Sequence, residues 1–426
     1  MSATLAIENG RVIDPASGLD AVVNIAIADG RILALGASPP GFSPQRVIDA
    51  RGLVVAPGLV DLCARMREPG AEGALRGEMR AALAGGVTGL ACPPDTDPPL
   101  DEPGLVRMLR QRSREAAGAR LYPLGALTAG LAGQALAEMH TLAQVGCVAF
   151  AQTSALPVNL GTLLQALRYA STFDLPVWLR PVDASLSGDG VAGDGPLSMR
   201  LGLPGIPVAA ETVALHTIFE LQRTAGTRIH ICRLSSAEGV ALVRAARREG
   251  LPVTADVSVQ HLHLVDENIG YYDTNCRLDP PLRAAHDRAA IRAGLADGTI
   301  AAVCSDHAPV SQDDKLLPFG EARAGASGLE TLLSLILAWA QAEALPLAQA
   351  LGVVTAAPAR ILGEDTGLLA PGHKADIVIF DPTANWTVRP EGFISSGHNS
   401  PFAGQSLPGR VHYTLVGGEV RFEAAQ

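Results

Sequence analysis

The residues of this chain able to do chemistry fall in a few short runs. Ser305-Asp306-His307 sets a nucleophile, an acid and a base side by side, but consecutive strand residues point to opposite faces, so these three cannot form a triad by themselves. His230-Ile231-Cys232-Arg233 places two zinc-type donors at alternate positions. In a strand, 230 and 232 share one face and Arg233 takes the other. Gln260-His261-Leu262-His263 repeats that alternation, the spacing of a metal pair. Cys63, Arg65 and Arg67 form a third group, in Leu62-Cys63-Ala64-Arg65-Met66-Arg67. No glycine-rich phosphate loop precedes a helix in the required form.

The elements that must position these groups are legible as alternating patterns. Eight β-branched or apolar runs, at 58–63, 87–92, 119–126, 147–151, 176–181, 228–233, 252–257 and 301–306, alternate with helical stretches such as Gly161 to Ala170 and Ala237 to Glu249. Eight βα units predict a (β/α)8 TIM barrel spanning 56–365, with its active face at the carboxyl ends of the strands. The first 55 residues and residues 366–426 have a β texture instead. Asn9-Gly10, Asp29-Gly30 and Gly417-Gly418 each sit between apolar runs and read as hairpin turns. Both ends together are expected to build one small composite β-sandwich domain. Ser185 to Gly195 reads as a loop after the fifth strand, and Gln312 to Gly328 as a second flexible stretch after the eighth.

Composition narrows the function classes. With 426 residues, 48% hydrophobic and 18% charged, the chain has ample material for a large core. A formal charge of -10 argues against nucleic acid, whose phosphates need a basic surface. The amino-terminal residues lack the regions of a signal peptide, and no apolar run reaches the ~18 residues of a membrane span, so a cytoplasmic protein is expected. The six cysteines, 63, 92, 147, 232, 276 and 304, form no CxxC pair and read as reduced thiols. His373, His398 and His412 carry no signal beyond surface or packing roles.

A series of motifs in order makes the chain resemble the dihydroorotase branch of the amidohydrolase superfamily along nearly its whole length. They are Pro57-Gly58-Leu59-Val60-Asp61, Arg67-Glu68-Pro69-Gly70, Gly85-Gly86-Val87-Thr88, Pro280-Pro281-Leu282-Arg283, Ser305-Asp306-His307-Ala308-Pro309, Ser327-Gly328-Leu329-Glu330-Thr331 and Pro358-Ala359-Arg360-Ile361. Pro371-Gly372-His373-Lys374-Ala375-Asp376 and Asn399-Ser400-Pro401-Phe402 close the series. The resemblance implies metal ligands from two histidines on strand one, an acidic residue or carboxylated lysine after strand four, one histidine each on strands five and six, and an aspartate on strand eight. Zinc held there lowers the pKa of a bound water, and the aspartate handles the proton.

Carried over position by position, that set is almost gone. Cys63 and Arg65 stand at the strand-one histidines, Gln152 where the acidic residue is expected, and Arg180 and Arg233 at the histidines of strands five and six; only Asp306 matches. Cys63 and Asp306 are too few to hold zinc, so no metal cofactor is expected. Of the substrate positions, Arg67 is present, but Asp95 and Asp279 replace asparagines. His261 and His263 occupy a run that carries no ligand duty in the family, which favours a structural role. Arg65, Arg67, Arg180 and Arg233 would converge on the old pocket. Because arginine keeps its proton, they require carboxylates such as Asp306 and Asp95, or a bound anion, with Arg67, Asp95, Arg180 and Arg233 as the candidate anion site.

The resemblance thus implies a noncatalytic homologue, similar to the inactive dihydroorotase chains that assemble with the catalytic chain of aspartate transcarbamoylase. The alternatives are a working cyclic amidohydrolase (dihydroorotase, hydantoinase or allantoinase) with an atypical metal site, and a sensor of anionic ligands.

Overall fold

The computed structural model describes residues 4–66 and 74–425. Its centre is a parallel sheet of eight strands in chain order: Leu59–Asp61, Val87–Cys92, Arg120–Ala126, Ala149–Gln152, Val177–Leu179, Ile229–Ile231, Val253–Ser258 and Ala302–Cys304. They are strands one to eight below. The sheet closes where Ala64 bridges His307: the Arg65 amide donates to the His307 carbonyl at 2.8 Å, and the His307 amide to the Cys63 carbonyl at 3.1 Å.

Period-two alternation sorts the side chains of this barrel. On strand five Val177 and Leu179 face the outer helices, while Trp178 fills the lumen with Val60, Leu62, Ala91, Leu124, Ala151 and Ala302. The outer layer includes Leu160–Thr172, whose first turn is capped by the Asn159 side chain, and Ala237–Arg248, capped by Ser236. Each cap oxygen accepts an otherwise orphaned backbone N–H. The amphipathic runs at Gly161 to Ala170 and Ala237 to Glu249 lie on these two helices.

Both ends of the chain meet in a pair of sheets. One orders Arg31–Leu35, Ile25–Ala28, Leu5–Glu8 and Arg46–Asp49; the other orders Glu419–Glu423, Ser406–Val416, Ile377–Thr387, Val54–Pro57, Arg11–Asp14 and Leu19–Val22. Ile7, Ile25, Ile27 and Ile48 pack against Val55, Ile377, Ile379 and Leu415 between them. The larger sheet also rests on the barrel, since Val54, Val378 and Phe380 join the barrel's core and the Thr414 hydroxyl donates to the Leu83 carbonyl at 2.7 Å. Gly58 links the two units, its amide donating to the Asp376 carbonyl; a β-carbon there would run into the Thr88 side chain.

Two of the three expected hairpins form. Asp29-Gly30 and Gly417-Gly418 have positive φ at both central residues, as a tight turn between antiparallel neighbours demands. Asn9-Gly10 does not make a hairpin. Only Asn9 is left-handed, and Leu5–Glu8 and Arg11–Asp14 belong to different sheets, so the dipeptide carries the chain across the sandwich. Gly10 is required there by close packing on Val55 and Ala50. The stretch from Ser185 to Gly195 is also more ordered than a plain loop. It contains part of the short helix Ala184–Ser187, and Ala192–Gly193 pairs with Gly205–Ile206. Likewise Gln312–Leu316, within the second stretch read as flexible, is helical.

Candidate functional site: an ion ladder across the barrel mouth

Cys63 and Arg65 follow strand one, Arg180 follows strand five, Arg233 lies two residues beyond strand six, and Asp306 two beyond strand eight. The resulting contacts form a ladder. Asp95 accepts from Arg65 Nε at 2.9 Å, Arg65 Nη1 lies 3.5 Å from Asp306 Oδ1, and Arg233 Nη1 donates to that same oxygen at 2.9 Å. Arg233 Nη1 also reaches the Asp279 carbonyl at 3.1 Å, and the Asp279 carboxylate takes both Nη atoms of Arg180. Arginine suits this geometry because its planar fork serves two acceptors at once.

The backbone is shaped for the ladder. Arg233 and Asp306 have φ of 57° and 47°, a left-handed region that costs non-glycine residues about 1 kcal/mol or more. Strand six ends at Ile231, so strict alternation does not extend to Arg233. The expectation that Arg233 faces away from 230 and 232 fails for that reason. Its amide donates to Asp256 Oδ1 at 2.6 Å, while Asp256 Oδ2 meets His230 Nε2 at 3.0 Å. His230 Nδ1 in turn lies 2.8 Å from the Thr254 hydroxyl.

The electrostatics follow from burial set against pairing. Burial pushes the Cys63 thiol well above its ordinary range, more than Arg233 and Arg65 pull it down, so it is a neutral thiol. Burial also works to raise the Asp279 carboxyl, but Arg180 and Arg233 outweigh it and hold the group at about 2. Burial disfavours the charge of Arg233, yet Asp306 and its neighbours leave its pKa above the ordinary guanidinium value. Below the ladder, burial lifts Asp61 to about 6, although Ser305 and the Cys63 amide donate to its oxygens.

Other expected site residues are placed elsewhere. Gln152 is buried and does not meet the ladder; its carbonyl accepts from Thr128 at 3.0 Å and its amide donates to the Leu131 carbonyl at 2.8 Å. Arg67 lies outside the described residues. His261 Nε2 lies 3.2 Å from the Pro281 carbonyl, and His263 Nε2 lies 2.9 Å from that of Leu335, so both support the packing. Burial depresses both, His263 to about 4. His307 is turned away from the mouth: its Nε2 meets Glu78 at 3.0 Å and its Nδ1 accepts from the Gly328 amide at 3.2 Å, with both side chains wholly buried.

Asp256 and Glu78 were missed by sequence reasoning. Each is a carboxylate buried against a histidine, a pairing across 26 and 229 positions respectively that no local spacing reveals. Asp279, noted only as a departure from asparagine, is the partner of Arg180. Charge balance was the available signal, because buried arginines need carboxylates.

Arg233 and Asp279 divide the mouth in two. They line both a cavity of about 290 Å³ that also holds Arg65, Asp95, Asp306 and Arg323, and another of about 290 Å³ that holds Arg180, Glu211 and Arg283. Metal does not fit this arrangement. At the ladder, Asp306 Oδ1 already meets two guanidiniums, and Cys63 Sγ, 3.7 Å away, is a protonated thiol. A divalent ion within ~4 Å of one guanidinium would be opposed by roughly 8 kcal/mol at an effective dielectric of 20.

A closed eight-stranded parallel barrel under a β-sandwich, with its polar site at the strand carboxyl ends, defines an amidohydrolase-type fold. Residues 206–421 match the amidohydrolase family, and residues 52–239 the family described as dihydro-orotase-like. The chain is 46% identical to a dihydroorotase-like protein of Pseudomonas putida, with 98% of this chain and 99% of that protein covered. It is 44% identical to one of Pseudomonas aeruginosa, covering 99% and 100%. A dihydroorotase of Pelobacter propionicus is 40% identical over 98% and 99%. Among solved structures, L-hydantoinase from Arthrobacter aurescens superposes with a TM-score of 0.87 at 23% identity, covering 100% of this chain and 97% of that one, a likeness of fold. The chain belongs to the dihydroorotase-like proteins of the amidohydrolase family.

Proposed function

We propose that this protein is a noncatalytic dihydroorotase homologue acting as a structural and assembly subunit for the catalytic chain of aspartate transcarbamoylase in pyrimidine biosynthesis. The observation that carries the loss of catalysis is the Arg233–Asp306 contact of 2.9 Å. The one carboxylate at a family ligand position is held by fixed cations, where hydrolysis would need it free to take a proton from an activated water. Two relatives above 40% identity bear the name dihydroorotase-like protein, while others near 40% are called dihydroorotase. The partner is proposed on the family resemblance. A barrel that binds only the folded or assembled partner would stabilise it by mass action.

Light scattering after size exclusion, on the protein mixed with the aspartate transcarbamoylase catalytic chain of the same organism, tests the assembly role. A co-eluting complex with transcarbamoylase activity above that of the partner alone is expected. Separate peaks with unchanged activity would remove that partner.

The second reading, an active cyclic amidohydrolase with an atypical metal site, draws on one observation: His230, Cys232 and Asp256 offer donor atoms within 4.8 Å of one another. Both ring nitrogens of His230 and both Asp256 oxygens are already engaged. Near-stoichiometric zinc after purification without chelator, together with dihydroorotate turnover, would establish this reading and sink the first.

A further inference from the structure

At the amino-terminal end of the barrel, opposite the mouth, lies a cavity of about 460 Å³, within the size range of small-molecule sites. Its wall includes Pro176, Arg228 and Pro252, the residues that precede strands five, six and seven. Three arginines line it, Arg228, Arg247 and Arg360, and among the described residues no carboxylate does. Two of the three are held in place from outside. Arg228 reaches Asp174 through Nε at 3.0 Å and the Asp174 carbonyl through Nη2 at 2.6 Å, while Arg247 Nη1 donates to the carbonyls of Gly298 and Thr299. The Arg360 side chain has no partner among the described residues.

Beneath them the cavity reaches Trp178 and His230, whose rings lie 4.6 Å apart. Trp178 is 1% exposed, and its indole N–H is buried without a hydrogen-bond partner. That N–H is out of reach of solvent, so the indole is a packed reporter beneath the cavity and not a contact to its ligand. Arg228, Arg247 and Arg360 are exposed, and three guanidiniums around one cavity with no lining carboxylate suit a ligand of more than one negative charge; phosphate, near -2 at neutral pH with several acceptor oxygens, fits them better than a single carboxylate.

We propose that this cavity is a binding site for a small phosphate-bearing anion, held by Arg228, Arg247 and Arg360. The site lies on the far side of the barrel from the ladder and does not rest on the loss of hydrolysis. One path joins the two ends: His230, lining the cavity, meets Asp256, which accepts from the amide of Arg233.

The test is a titration of the whole protein with inorganic phosphate at constant ionic strength, read by tryptophan fluorescence and by calorimetry. Saturable binding is expected, with a fluorescence change that Trp178→Phe abolishes. Arg360→Ala should weaken binding about tenfold or more, and Arg323→Ala, in the mouth cavity, should leave it unchanged. Absence of saturation, or weakening by Arg323→Ala and not by Arg360→Ala, would overturn the proposal. Should Trp178→Phe fail to fold, calorimetry on Arg360→Ala decides alone. Adenosine monophosphate and adenosine then identify the source. Tighter binding of the monophosphate than of phosphate supports a phosphorylated metabolite, equal binding supports the free ion, and equal binding of adenosine and its monophosphate would refute phosphate recognition.

Discussion

The two ends of the barrel handle positive charge in opposite ways. At the carboxyl ends of the strands, Arg65, Arg180 and Arg233 each meet a carboxylate, and two of the residues involved adopt left-handed backbone to do so. At the amino ends, Arg228 meets Asp174 on the outside of the cavity, Arg247 only backbone carbonyls, and Arg360 nothing among the described residues. A set of charges that satisfies itself has little left for a ligand, whereas one pinned from behind is preorganised for it. The mouth is therefore the more self-contained of the two ends.

The largest effect should come from breaking the centre of the ladder. Asp306→Leu strands the buried Arg233 and is expected to cost roughly 3–5 kcal/mol, whereas the double variant Arg233→Met/Asp306→Leu should recover most of that loss. Urea unfolding of both singles and the double measures it. Simply additive losses would mean that the pair does not act as a unit and that the mouth is no more self-contained than the amino end.

A somewhat smaller effect is expected behind strand eight. Burial opposes the charge of Glu78, but His307 and Ser396 hold its carboxyl at about 2, below the usual 4.5. A depressed carboxyl stabilises the fold above its unfolded pKa and loses that contribution as the pH falls. Stability should therefore decline between pH about 4.5 and about 2, by on the order of 3 kcal/mol from this group. Glu78→Gln should flatten that acid limb, and an unchanged slope would assign the decline to other carboxylates such as Asp279.

Arg65→Gln should matter less, at about 1 kcal/mol or below, because both it and Asp95 remain about a quarter exposed. Thermal unfolding gives the number, and a loss near that of Asp306→Leu would show the ladder to be more buried in effect than its geometry suggests. Smallest of all, Asp174→Asn at the amino end, which keeps a residue type that tolerates the φ of 52° there, should leave the unfolding midpoint unchanged, since Asp174 is 86% exposed. The same variant unpins Arg228 and should weaken phosphate binding; tighter binding would mean that Asp174 competes with the ligand and does not preorganise the arginine.

Much of this was legible in the sequence because it is local. The eight apolar runs correspond to the eight strands, and residues at or beside the ends of runs one, five, six and eight reach the mouth. What was not legible depends on distant partners. The Asp256 and Glu78 pairings, the capture of Arg180 by Asp279 and the turn that swings Arg233 toward Asp306 are set by closure of the barrel. Asn9-Gly10 misled for a related reason: a left-handed residue permits a reversal, but whether the strands pair depends on which sheet has room for each. Arg228 and Arg247 gave no signal, and Arg360 carried one only as part of the Pro358 to Ile361 motif.

The shared sandwich has a consequence in time. Val54–Pro57 pairs with Ile377–Phe380, so more than three hundred residues must be made before that edge of the amino-terminal sheet is covered. At a synthesis rate of about 5–20 residues per second, the wait is roughly a quarter of a minute to a minute. During that interval Val54, Val55 and Ala56 form an apolar strand edge without its eventual neighbour, a template for pairing with other nascent chains. Chains interrupted before the carboxyl-terminal strands emerge are therefore expected to be a source of aggregation, even where the barrel itself is complete.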